Sequence, residues 1–189
     1  MIETYYMIRI ITGTAKNKKL KVPDVDGYRA VQEIAKGALF SIFNDKVLDA
    51  NCLDLYAGSG NLGIEALSRG AKHCDFVDKN AVATKIIQEN INNCGLNEKA
   101  EVFLRDAVKY VANTDKKYDV IFVDPFYSET HHVFLMKNLE EILVFDGIIA
   151  FFHGKELDIN KVTKETNLKI VDARRFGKSY FTLLEHSNK

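Results

Sequence analysis

The stretch Asp54-Leu55-Tyr56-Ala57-Gly58-Ser59-Gly60-Asn61-Leu62-Gly63 lies between an apolar run, Cys52 to Tyr56, and a short apolar segment, Leu62 to Ser68, which Gly70 stops. It therefore reads as the place where a buried strand hands over to a helix. Gly58, Gly60 and Gly63 spell GxGxxG. Glycine suits that place because the turn is tight, a ligand must approach the backbone closely, and the first helical turn offers N–H groups with no intrahelical partner. A second strand, Cys74 to Val77, ends on Asp78, 20 residues after Gly58, where a carboxylate can accept hydrogen bonds from both hydroxyls of a ribose. A nucleoside ligand is implied, with Tyr56, Ala57, Gly58, Ser59, Gly60, Asp78 and Lys79 as its candidate contacts.

Outward from this segment the period alternates. Asn80 caps a helix that runs to about Asn93 and stops at Gly95, after which Val102 to Leu104 gives a third strand and the apolar Val120 to Val123 a fourth, expected to be central. A helix from about Glu129 to Leu143 leads past Asp146-Gly147 into Ile148 to Phe152, and Lys169 to Ala173 and Tyr180 to Leu184 flank Gly177 as a pair of antiparallel candidates. Upstream, Ile8 to Ile11 and Leu20 to Val22 flank Thr12-Gly13-Thr14 as a hairpin, and Val31, Ile34, Ala35, Ala38, Leu39 and Ile42 mark an amphipathic helix ending near Asn44. The expected fold is α/β, a Rossmann-like, doubly wound, mostly parallel seven-stranded sheet with an antiparallel last strand. Residues 1–45 would form a hairpin and helix extension packed on the main domain, 46–189.

Composition bounds the partners. The 189 residues are 47% hydrophobic and 28% charged, enough for one domain that buries roughly 70% of its unfolded surface and needs no staples. Basic and acidic residues both number 26, which excludes a polycation or an acidic tail protein, so any affinity for nucleic acid must be local. It is not uniform: residues 1–50 carry net +2, 51–160 net −6 and 161–189 net +4. Arg9, Lys16, Lys18, Lys19 and Lys21 at one end, and Arg174, Arg175 and Lys178 at the other, would form one phosphate-binding surface if the ends met; otherwise the hairpin lysines are simply solvated. No run approaches the ~18–20 apolar residues of a membrane span, and Glu3 argues against a signal peptide, so a cytoplasmic protein is expected. Cys52, Cys74 and Cys94 fit neither a disulfide framework nor a metal knuckle, and adjacent His131 and His132 cannot share a metal from one helix face. No metal is expected.

Asp54 bears on which nucleoside is bound. A carboxylate just before the glycines disfavours a pyrophosphate and favours the cationic end of S-adenosylmethionine over a nicotinamide dinucleotide; the alternative is an Asp that braces the loop. Asp106 and Ala107 follow the third strand, from which a carboxylate and a backbone N–H reach an adenine edge, although Asp106 also suits a helix cap. The fourth strand empties into Asp124-Pro125-Phe126-Tyr127 at the carboxyl edge of the sheet, where open α/β folds bind ligands. An exocyclic base amine is a poor nucleophile, so a catalyst must hold its hydrogens and aim its nitrogen. Asp124 and the Pro125 carbonyl supply acceptors, Pro125 stiffens the turn, and Tyr127 offers a flat face to an extruded base. The competing reading is an Asp-Pro turn whose aromatics fold into the core.

Together these residues resemble class I S-adenosylmethionine-dependent methyltransferases, and more narrowly the bacterial 16S ribosomal RNA guanine-N2 methyltransferase family. The resemblance rests on Arg9-Ile10-Ile11-Thr12-Gly13 with Lys18-Lys19-Leu20, Ala38-Leu39-Phe40, the run from Leu53 to Ala71, Phe76-Val77-Asp78 and Val123-Asp124-Pro125. It implies S-adenosylmethionine as cofactor, ribosomal RNA or a 30S particle as partner of a monomer, and Asp124, Pro125 and Tyr127 as the residues that hold the guanine amine. Arg9, Lys16, Lys18, Lys19, Arg29 and Phe126 are the expected RNA contacts. Two departures stand out: Phe126 replaces the family's second proline, and Arg29 with Lys36 stands where an Arg-Pro-Thr segment with further arginines is usual. They keep a catalytically impaired RNA-binding relative in view beside the enzyme, as the literal GxGxxG keeps a nicotinamide-dependent oxidoreductase.

Overall fold

The computed structural model describes residues 8–24, 31, 33–125, 132–177 and 179–187. The expected hairpin is there but short: β1 (Ile8–Arg9) and β2 (Lys19–Leu20) pair antiparallel, Ile8 opposite Leu20. Its turn is a docking device. Gly13 has a φ of +86°, and a Cβ there would lie 1.7 Å from the Ser68 carbonyl oxygen, so only glycine lets the turn sit flush on the neighbouring helix.

The amphipathic segment forms α1 (Glu33–Phe43), with the expected period but a shifted phase. Ala35, Lys36, Leu39, Phe40 and Phe43 are buried, whereas Ile34 is 75% exposed and Ile42 faces outward. The shift follows from Lys36, which apolar periodicity places on the wet face and the structure buries against a carboxylate.

The strands and helices then alternate as β3 (Asn51–Leu55), α2 (Asn61–Ser68), β4 (His73–Asp78), α3 (Ala81–Cys94), β5 (Ala100–Leu104), α4 (Ala107–Val111), β6 (Tyr118–Val123) and α5 (His132–Ile142). Asn80 caps α3 by accepting from the N–H groups of Val82 and Ala83, and Gly95 ends it at a φ of 70°. After α5 come β7 (Leu143–Gly154), α6 (Ile159–Thr163), β8 (Leu168–Phe176) and β9 (Ser179–His186). The long β7 begins earlier than Asp146-Gly147 suggests: its pairing with β6 jumps from Leu143 to Ile148, and the intervening residues bulge outward, with Phe145 70% exposed. Helix α6, with Asp158 as its cap, is too short to show a period in sequence.

The main sheet has the order β5-β4-β3-β6-β7-β9-β8. The first five are parallel and β6 lies at the centre, while β9 inserts antiparallel between β7 and β8. Both faces are covered, as the continuous apolar run of β6 requires. Val120 and Phe122 join the core under α1, α2 and α3; Ile121 and Val123 join the one under α4, α5 and α6. Cys52 and Cys74 are buried free thiols and Cys94 is half-buried. No described helix is long and apolar enough to cross a membrane.

Candidate active site

Strands β3, β4 and β6 run side by side, Leu55 opposite both Val77 and Val123, so the residues that leave them meet at one edge. The loop after β3 is built from left-handed backbone: Tyr56 has a φ of 59°, Gly58 57° and Gly60 75°. A tyrosine in that region is uncommon and persists because neighbours hold it. The Ala57 N–H donates to the Val77 carbonyl (3.2 Å) and the Gly60 N–H to the Ala57 carbonyl (2.7 Å).

Two carboxylates fasten this loop. Asp54, 2% exposed, accepts from the Gly63 N–H at 2.8 Å, tying β3 to α2. Asp78 accepts from the Gly58 N–H with one oxygen and from the Asn80 N–H with the other, both at 2.9 Å. An ionised carboxylate has about four lone-pair sites, so this bracing leaves Asp78 capacity for a ligand. The bracing reading of Asp54 thus holds, and the same side chain also carries the site's electrostatics. Burial raises its carboxyl well above the ordinary range, and Asp124 and Asp78 raise it further by repulsion. Asp124 continues β6, its N–H donating to the Leu55 carbonyl at 3.4 Å, and burial pushes its carboxyl up to about 7. A buried carboxyl whose ionisation Asp124 and Asp78 oppose, set beside a glycine loop, fits a ligand that brings positive charge.

The other candidates fall beside them. The Arg105 N–H donates to the Asp78 carbonyl, which sets Asp106 next to the end of β4. Asp106 caps α4 by accepting from the Lys109 N–H (3.0 Å), and Ala107 is buried. Lys79 is exposed directly after β4, Ser59 is buried within the loop, and Pro125 is buried behind Asp124. Phe126, Tyr127 and Arg29 lie outside the described residues.

The basic residues of the hairpin divide. Lys16, Lys18 and Lys19 are exposed, while Arg9 pairs with Glu33 at 3.1 Å. The hairpin's contacts run to α2 and α3, whereas Arg174 and Arg175 lie on β8 at the edge of the sheet, Arg174 paired with Asp172.

What composition could not reveal is how the hairpin is wired to the loop. Lys36 is wholly buried, its ammonium 2.9 Å from Glu65, 2.7 Å from the Asn61 side-chain oxygen and 2.7 Å from the Arg9 carbonyl. Glu65 also accepts from the Ile11 and Thr12 N–H groups and from Arg69. Asn90 spans Ser59 and Lys21, donating to both carbonyls and accepting from the Lys21 N–H. The available signal was a Lys and a Glu set among apolar neighbours in α1 and α2.

One cluster of metal-ligand types exists among the described residues: His73, Asp75 and Glu101, with ligand atoms within 4.8 Å of one another. The Lys116 ammonium already sits between two of them, 2.8 Å from Asp75 and 3.0 Å from Glu101, and Tyr110 and Tyr118 donate to Asp75. Its charge is met from within the chain.

Residues 8–185 match the family model described as Conserved hypothetical protein 95. A Bacillus subtilis protein named "Putative rRNA methyltransferase YlbH" is 33% identical over 157 residues, 80% of this chain and 85% of that protein. Ribosomal RNA small subunit methyltransferase D of Escherichia coli K12 is 34% identical over 118 residues, 62% of this chain and 59% of that enzyme. Among solved structures, "Putative methyltransferase yhhF" from Escherichia coli superposes with a TM-score of 0.84 at 25% identity, covering 96% of this chain and 98% of its own.

Proposed function

We propose a reaction for this chain, which belongs to the Conserved hypothetical protein 95 family: transfer of a methyl group from S-adenosylmethionine to the exocyclic N2 amine of a guanine in 16S ribosomal RNA. Methyl transfer to ribosomal RNA is the activity in the names of its Bacillus and Escherichia relatives. The observation that carries the reading is the meeting of Asp54, Asp78 and Asp124 about the glycine loop, each carboxyl raising the Asp54 pKa or raised itself.

S-adenosylmethionine, when bound, supplies an electrophilic methyl carried on a positive sulfur. A cation beside Asp54 and Asp124 favours their ionised forms, which burial otherwise disfavours, whereas a pyrophosphate opposes them. Asp78 accepts from the ribose, and Asp106 with the Ala107 N–H meets the adenine edge; Tyr56 to Gly60 and Lys79 line the remainder. Asp124 and the Pro125 carbonyl accept the two hydrogens of the guanine amine and aim its lone pair, and Asp124 takes the proton that the amine loses. A carboxyl that titrates near 7 suits that exchange at neutral pH. The base-stacking role is assigned to Tyr127, a contact with the base to Phe126, and contacts with the RNA backbone to Arg9, Arg29, Lys16, Lys18 and Lys19. Alignment supplies most of the acceleration, for which ~7–11 kcal/mol is available in well-oriented reactions.

Replacing Tyr127 separates binding from transfer. Tyr127→Ala lowers kcat/KM by roughly 10- to 100-fold, base stacking being worth about 1–3 kcal/mol, and leaves the calorimetric affinity for S-adenosylmethionine within about twofold. Tight binding of NAD in place of S-adenosylmethionine by the unaltered protein overturns the reading.

A further inference from the structure

At the carboxyl end of the sheet three side chains stand in one cross-strand row, His153 of β7 opposite Tyr180 of β9, and Tyr180 opposite Arg175 of β8. The His153 and Tyr180 rings stack with centroids 5.6 Å apart and planes 16° from parallel, and the Arg175 guanidinium carbon lies 5.8 Å from the Tyr180 ring centroid. His153 is fixed at both nitrogens. A carbonyl can only accept, so Nδ1 donates to the Gly154 oxygen (2.9 Å), and Nε2 meets the Thr182 hydroxyl at 2.9 Å. The row thus rests on a locked imidazole and ends on an arginine.

Arg175 is oriented by a backbone acceptor. Its Nε donates to the Gly177 carbonyl at 2.9 Å, and among the described residues no carboxylate pairs with it. Arg174, the adjacent residue on β8, differs, pairing with Asp172 at 3.0 Å. An exposed guanidinium held by a ring and a carbonyl keeps its terminal N–H groups for a planar or bidentate acceptor.

The place of the row says what that acceptor is. β6 pairs with β7 through Val123 opposite Phe151, so His153 lies beside the end of the Asp124-Pro125 corner. His132, where the chain re-enters α5 after that corner, packs edge-on against Phe151. At about 4.8 Å per strand, Arg175 stands about 14 Å from β6, past the reach of the target base itself.

Resting on the function proposed above, we propose that Arg175 is a substrate-positioning residue: held by Tyr180 on His153, it binds a phosphodiester of the RNA strand that flanks the extruded guanine. The hairpin turn lies instead against Ser68, the last residue of α2, so Arg175 is the cationic point that the row places at the carboxyl edge on this side of the corner.

The test measures the affinity of fluorescent 16S ribosomal RNA, free and in 30S particles, across about 50–200 mM salt, with methyl transfer followed on the same preparations. Arg175→Ala weakens RNA binding about three- to tenfold at the low-salt end and flattens the log–log salt slope by about 0.7–0.9, the loss of one phosphate contact. The loss falls on the KM for RNA more than on kcat, and affinity for S-adenosylmethionine is kept. Tyr180→Phe behaves as the parent because the ring remains, whereas Tyr180→Leu reproduces part of the Arg175→Ala loss. An Arg175→Ala protein with the parent's affinity and salt slope overturns the clamp while leaving the methyl-transfer reading intact. A parent protein that neither binds nor methylates RNA defeats that underlying reading, and the clamp with it.

Discussion

Asp124 is the residue on which chemistry and stability pull in opposite directions. Burial lifts its carboxyl to about 7, so it is largely neutral below that pH and anionic above it. If it holds the amine hydrogens as an anion, kcat/KM rises with pH and levels above about 7, and Asp124→Asn removes that limb from the pH profile. Linkage runs the other way. The folded chain binds this proton more tightly than the unfolded chain, so the stability due to Asp124 is fully present at low pH and is lost as pH rises through about 7. A cationic ligand that favours the carboxylate offsets the loss. At this scale the layout of the candidate site was legible: Asp54, Asp78, Asp106 and the glycines lie at the strand ends and in the loop that spacing indicated. Lys36 was not, because a lone lysine on a helix reads as solvated and only a buried partner, Glu65, makes it otherwise.

Elements are joined at the hairpin. β1 and β2 share two residue pairs, too few to stand alone, and their attachment runs through Glu65, Ser68, Lys36 and Asn90. Gly13→Ala forces a Cβ into the Ser68 carbonyl, so amide exchange across residues 8–20 accelerates strongly while β3, β4 and β6 keep their protection. Lys36→Met keeps the volume but strips Glu65 of its buried partner. Arg69 and two backbone N–H groups still hold Glu65, which puts the cost near the low end for a broken buried pair, about 3 kcal/mol by urea unfolding. The period of α1 was readable and its phase was not, since the buried charge rotates the helix by about one residue, and 100° per residue is enough to expose Ile34. The bulge in β7 escaped for a related reason: Asp146-Gly147 signals a turn and does not say whether the chain turns before a strand or inside one.

For the whole molecule, alternation of strands and helices was sufficient to reach a seven-stranded sheet, because parallel neighbours need right-handed crossovers and both faces must be covered. The position of β9 between β7 and β8 follows from its pairing with both, which local pattern does not encode. That topology gathers the strand ends of β3, β4 and β6 into one acidic corner and sets exposed cationic groups on the hairpin and on β8 away from it, within a chain of zero formal net charge. The most direct measurement of the account incubates the protein with methyl-labelled S-adenosylmethionine and, separately, 30S particles, free ribosomal RNA and DNA, then locates the label by digestion and mass spectrometry. The account predicts a single N2-methylguanine in the small-subunit RNA. Label confined to DNA, to another atom of the base, or absent from every acceptor contradicts it.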